Sequence, residues 1–144
     1  MSPRDLDRDV ITTRLRHIDD LVTVLRDVGA VDAERLSADT LLRLGIERAL
    51  TQLVELSVDV LNHLLVVSNG QATRTYREAF TAAATTGILS PTLATTLESA
   101  AGMRNALVHE YVDIDLAKVA DVVPLAPQTF ADFIREVARW VKER

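Results

Sequence analysis

The chain contains no cysteine, which excludes disulfides, thiol catalysis and cysteine-based zinc sites. Histidine is almost as scarce. His17, His63 and His109 are widely scattered, so no histidine-rich metal site is expected. Long hydrophobic runs are missing too: the longest span a few residues, such as Leu64 to Val67, far short of the ~18 needed to cross a bilayer. The stretch Met1 to Asp9 has no apolar core and alternates its charges, unlike a signal peptide. There is no excess of basic residues either. Sixteen Lys and Arg face 21 Asp and Glu, a formal net charge of −5, with a pI near 5.1. Broad, nonspecific nucleic-acid binding rests on the opposite balance. A small local site for one phosphate remains compatible with it and has to be argued from a motif. Glycine and proline number five and four, and all nine are read as breaks between elements. The expectation is a soluble, cytoplasmic protein.

What is present is helical periodicity. The 144 residues are 48% hydrophobic, enough for one domain over residues 1–144 that buries roughly two-thirds of its unfolded surface without a staple. Ile11, Leu15, Ile18, Val22 and Leu25 recur at steps of four and three, one face of a helix, and Gly29 follows as a stop. After a loop, Ser37 or Asp39 is a suitable cap for a long helix over about 38–68, which Asn69-Gly70 ends. A short helix over about 75–85 turns Tyr76, Ala79, Phe80 and Ala83 inward and closes at Gly87. Ser90-Pro91 then starts a helix, with serine at the cap and proline at the first position. This helix runs towards Tyr111 with Leu93, Leu97, Ala100 and Ala101 inside. Residues 115–122 suit one or two turns before Pro124. A last helix over about 127–142 presents Phe130, Phe133 or Ile134, Val137 and Val141. No segment alternates in the manner of a strand, and no internal repeat or linker divides the chain. The expected fold is all-α, a single up-down bundle of four to five helices.

One segment combines a phosphate-binding cation, an amide and a side chain suited to proton traffic at neutral pH: Arg104, Asn105 and His109 within Arg104 to Tyr111. Asn105 and His109 are four apart and share a helical face. Arg104 and His109 are five apart, about 140° around the axis, so one straight helix does not aim both at one atom. A bent arginine, a loosened helix or a second copy of the chain would each resolve this. Arginine suits bidentate phosphate contact, and histidine suits proton transfer near pH 7. Together they suit phosphodiester chemistry without a metal or other cofactor. The plainer reading of such a pair is a surface charge and a half-buried ring, and spacing alone does not separate the two.

The wider context does. The block from Leu97 to Tyr111, followed by Asp113-Ile114-Asp115, resembles the Arg-x4-His-x-Tyr signature of the HEPN superfamily, and more closely HepT-type toxins. Glu47 to Leu50 and Asp59 to Leu64 resemble the long second helix of that family. Tyr76 to Phe80 and Gly87 to Pro91 resemble its short helix and the turn before the motif. The resemblance covers roughly Leu41 to Asp115, while both ends match only as generic helices. It implies a HEPN-like bundle and a metal-independent RNase working as a homodimer, with the motif helices facing across the interface. It also implies a partner, an MNT-type nucleotidyltransferase antitoxin that transfers AMP to the motif tyrosine. Carried over, Arg104, Asn105 and His109 become the catalytic residues, Tyr111 the AMP acceptor, and Asp59 the acidic residue that holds Arg104. Glu110, Asp113 and Asp115 repel an RNA backbone nearby; Arg74 and Arg77 compensate if the bundle brings them close.

Other residues carry less. Asn62, His63 and Asp59 make a polar patch on an apolar helix, either a satisfied network or a support for the site. His17 sits among charges, and Trp140 reads as packing or as part of a dimer or partner surface. There is no phosphate-cradling glycine loop and no Gly-Ser nucleotidyltransferase signature, which puts the chain on the toxin side of such a pair. The competing function is a non-catalytic helical module that binds or positions substrate for a neighbouring nucleotidyltransferase.

Overall fold

The computed structural model describes residues 6–109 and 113–144. Among these, seven helices follow in order: α1 (Arg8–Val28), α2 (Ala33–Ala38), α3 (Thr40–Asn69), α4 (Tyr76–Thr86), α5 (Pro91–His109), α6 (Leu116–Val122) and α7 (Ala126–Lys142). The four or five helices expected are the five longer ones, α6 is the short helical stretch expected over 115–122, and α2 is an addition. The loop expected before α3 instead holds α2. Asp32 caps it by accepting from Arg35 N–H, and its single buried residue, Leu36, pins it to the core.

Local signals set most boundaries. Asp7, Asp39 and Thr75 each accept a backbone N–H at the start of α1, α3 and α4, satisfying donors that a helix start leaves open. Gly70 and Gly87 end α3 and α4 in the left-handed conformation, which glycine adopts without steric cost. Two glycines depart from the expected role: Gly45 lies inside α3 and Gly102 inside α5.

The buried apolar faces converge on α3. Leu53, Val60, Leu61 and Leu64 of α3 pack with Ile18 and Val22 of α1, Phe80 of α4, Leu97 of α5 and Phe133 of α7 in one core. By length and composition α3 is apolar enough to cross a membrane, but its apolar stripe is this core. α1 runs antiparallel to α3 and to α7, with Asp7 N–H bonded to His63 near the end of α3. Arg8 at the start of α1 donates to the carbonyls of Val141 and Arg144 at the end of α7. Thr81 Oγ1 of α4 donates to Glu98 of α5 at 2.6 Å, which sets those two helices in register.

Candidate functional site

The site is built on α5. Its start is fixed as Ser90-Pro91 predicts, with Ser90 Oγ accepting from Leu93 N–H at 3.3 Å. A second lock comes from α7: the buried Glu136 carboxylate accepts from Ser90 N–H at 2.6 Å and from Ser90 Oγ at 3.3 Å. An anion at a helix start is favoured by the helix dipole. Nineteen residues later the helix reaches His109.

Arg104 points from α5 towards α3 and α4. Its Nη2 donates to Glu55 Oε1 at 3.1 Å, and only 17% of its side chain is exposed, against 34% for Glu55. Its guanidinium carbon sits 4.6 Å from the centre of the Tyr76 ring, a cation–π contact. Nη1 donates to Asn105 Oδ1 at 3.2 Å. Arg104 is therefore a positioned charge rather than a free surface arginine. With Oδ1 taken by Arg104, the amide nitrogen of Asn105 is left to donate, the polarity that suits a phosphate oxygen.

Asn105 and His109 are both exposed and lie four apart on α5, hence on one face. Gly102 belongs to the same stripe, three residues before Asn105. The structure thus joins Arg104 to Asn105 directly and sets His109 one turn beyond the amide, while the helix keeps Arg104 and His109 on different sides. Tyr111 lies outside the described residues.

Asp59 requires correction. The residue that holds Arg104 is Glu55, one turn earlier on α3. Asp59 is exposed and sits about 6 Å further along the helix axis. Both carboxylates occupy one stripe of α3, and only the crossing point of α5 on α3 decides between them. Tyr76, expected merely as an inner residue of α4, is the site residue that sequence reasoning missed.

The polar patch on α3 is a set of separate ties rather than a network around the site. Asn62 Oδ1 accepts from the N–H and hydroxyl of Thr73, both at 2.9 Å, anchoring the loop before α4. His63 Nε2 accepts from Asp7 N–H at 3.1 Å, anchoring the start of α1.

Arg77 is brought to the motif helix. Its Nη2 lies 3.2 Å from where a Cβ on Gly102 would stand. Beside it, Arg74, Arg77, Thr73, Thr81 and Thr85 line a groove of about 750 Å³ between the end of α3 and α4. The opposite flank of α5 differs in charge. There a cavity of about 410 Å³ is bordered by Asp113, Asp115 and Lys118.

The comparisons with known proteins agree with one another. The family model for Ribonuclease HepT-like proteins matches residues 11–137. The chain is 29% identical over 128 residues to the tRNA nuclease HepT of Aphanizomenon flos-aquae (strain 2012/KM1/D3), covering 89% of this chain and 87% of that one. It is 25% identical over 126 residues to the mRNA nuclease HepT of Shewanella oneidensis, covering 88% of this chain and 94% of that one. Its fold matches the tri-AMPylated Shewanella oneidensis HEPN toxin in complex with MNT antitoxin, with TM-score 0.82 and 23% identity over 92% of this chain and 99% of that one. The family match runs from α1 into α7 and spans the whole Arg104 to His109 segment. The chain belongs to the HepT-like ribonuclease family.

Proposed function

We propose that this chain is the toxin of a toxin–antitoxin pair, a metal-independent RNase that cuts through Arg104, Asn105 and His109. The observation that carries this reading is the constellation itself: an arginine fixed by Glu55 and Tyr76, bonded to Asn105, one turn from an exposed histidine. In the proposed step the ribose 2′-oxygen attacks the adjacent phosphorus and the bond from phosphorus to the 5′-oxygen breaks. His109 takes the 2′-hydroxyl proton or returns one to the leaving 5′-oxygen. Arg104 and the Asn105 amide stabilise the charge that builds on the phosphoryl oxygens. The products are a 2′,3′-cyclic phosphate and a 5′-hydroxyl.

The working form in this reading is a homodimer with its two α5 helices near the two-fold axis, in the cytoplasm. Support comes from the offset of Arg104 and His109 around α5, which a facing second copy resolves. Light scattering at micromolar concentration should give twice the chain mass. A monomer that still cuts RNA contradicts the dimer.

Control falls to an MNT nucleotidyltransferase antitoxin that transfers AMP to Tyr111. The hydroxyl of Tyr111 attacks the α-phosphorus of ATP and pyrophosphate leaves. The attached phosphate then competes with RNA for Arg104. After incubation with the partner and ATP, mass spectrometry should find AMP on Tyr111, and Tyr111→Phe should cut RNA yet resist silencing. AMP found only elsewhere contradicts the assignment.

A further inference from the structure

We propose that Arg77 is a substrate-binding residue that grips an RNA phosphate next to the scissile one, so that the strand leaves the site over Gly102 towards the groove between the end of α3 and α4. This rests on the RNase reading above and adds the route of the strand.

Three observations converge on it. The first is the glycine. Gly102 sits in the interior of α5, where glycine costs about 1 kcal/mol relative to alanine. Here its missing side chain leaves the space in which the Arg77 guanidinium lies, 3.2 Å from the position a Cβ would take. The second is the stripe. Gly102, Asn105 and His109 follow at steps of three and four, so Arg77 stands over the same face of α5 that presents Asn105 and His109. The hydrogen bond from Thr81 Oγ1 to Glu98 one turn earlier holds α4 in that register.

The third is charge. The ion pairs among the described residues are Arg43 with Glu47, Arg104 with Glu55 and Arg135 with Asp132. Arg77 is in none of them and is exposed, so its charge is open to a ligand. On a chain of net charge −5, the two flanks of α5 then differ sharply. On one side two cations, Arg77 and Arg74, border a groove with one carboxylate, Glu78, which accepts from Arg74 N–H at 2.9 Å. On the other, Asp113 and Asp115 stand beside Lys118. A polyanion entering at His109 is repelled by the second flank and received by the first. The hydroxyls of Thr73, Thr81 and Thr85 donate within the protein, whereas Thr86 Oγ1, which accepts from Asn69, keeps its proton for a phosphate or ribose oxygen.

The test uses the full chain and a labelled single-stranded RNA oligonucleotide of mixed sequence. Cleavage is followed with the unmodified protein, and binding in a His109→Ala background over a series of salt concentrations. Each phosphate contact to a single strand contributes about 0.7 to the slope of log affinity against log salt. Arg77→Ala should reduce that slope by about 0.7, weaken binding roughly fivefold, and raise KM with little change in kcat. Arg77→Lys should restore the slope, and Lys118→Ala on the opposite flank should leave it unchanged. Gly102→Leu, which fills the space the guanidinium uses, should imitate Arg77→Ala. An unaltered slope on adding Arg77→Ala to the His109→Ala background, while the protein with His109 intact cuts the RNA, overturns the Arg77 contact and leaves the RNase reading standing. A slope carried by Lys118 instead overturns the route. Binding with the Arg77 contribution but no cleavage overturns the RNase reading alone, and neither binding nor cleavage overturns both.

Discussion

Neutralising Glu55 should loosen Arg104, and the size of the effect follows from the burial of the pair. Arg104 is 17% exposed and Glu55 34%, with Nη2 and Oε1 3.1 Å apart. Fully exposed pairs contribute about 0–1 kcal/mol, while breaking a buried pair costs about 3–5 kcal/mol. This pair lies between the two, so Glu55→Gln should cost about 1–2 kcal/mol. In a chain of this length 1 kcal/mol moves Tm by about 2–4 °C, which puts the loss at about 2–8 °C. Asp59→Asn, one turn away and exposed, should stay within about 0.5 kcal/mol. The assay is thermal unfolding of both variants, extended to a double-mutant cycle with Arg104→Gln. Glu55 and Arg104 should couple by about 1–2 kcal/mol, and Asp59 and Arg104 by almost nothing. RNA cleavage should fall at least about tenfold in Glu55→Gln, because a guanidinium that leaves its place no longer meets the phosphate. Coupling between Asp59 and Arg104 with none between Glu55 and Arg104 would show that Asp59, and not Glu55, holds the guanidinium.

Glu136→Ala removes a buried carboxylate from two hydrogen bonds at the start of α5. Bonds to a charged group contribute about 1.5–3 kcal/mol, so Tm should drop by about 3–12 °C in a calorimetric scan. Gly45→Ala should do the opposite. No heavy atom lies within 4 Å of the added Cβ, so unfolding should show a gain of about 0.5–1 kcal/mol with RNA cleavage unchanged. Tyr76→Leu keeps the apolar bulk beneath Arg104 but removes the cation–π contact seen at 4.6 Å. Chemical denaturation should register a loss of about 0.5–2 kcal/mol, and cleavage should fall in kcat more than in KM.

Much of the fold is written locally. The cap at Asp39, the stop at Gly70 and the pair Ser90-Pro91 act through their own backbone, so they are legible one residue at a time. The short α2 is not. Its six residues carry too little periodicity, and what holds it is the burial of Leu36, a tertiary fact. The interior glycines show the same limit. Gly102 reads as a break until Arg77 is seen lying over it. In the site, the segment from Arg104 to His109 is legible from residue types and spacing. Its supports are not, because Glu55 and Asp59 stand on one stripe of α3 and the choice depends on where α5 crosses. Tyr76 escapes for a related reason. An aromatic residue on the inner side of a helix reads as core, and its role under Arg104 exists only once α4 and α5 lie side by side.

In the proposed mechanism this chain cuts RNA by itself, without a metal, through Arg104, Asn105 and His109. The most direct test is end-group analysis of RNA incubated with the purified chain in excess EDTA, beside His109→Ala carrying the same fold by circular dichroism. The unmodified chain should leave 2′,3′-cyclic phosphate ends, and His109→Ala should leave the RNA intact. Cleavage that EDTA abolishes and added metal restores, or cutting that survives in His109→Ala, would contradict the mechanism.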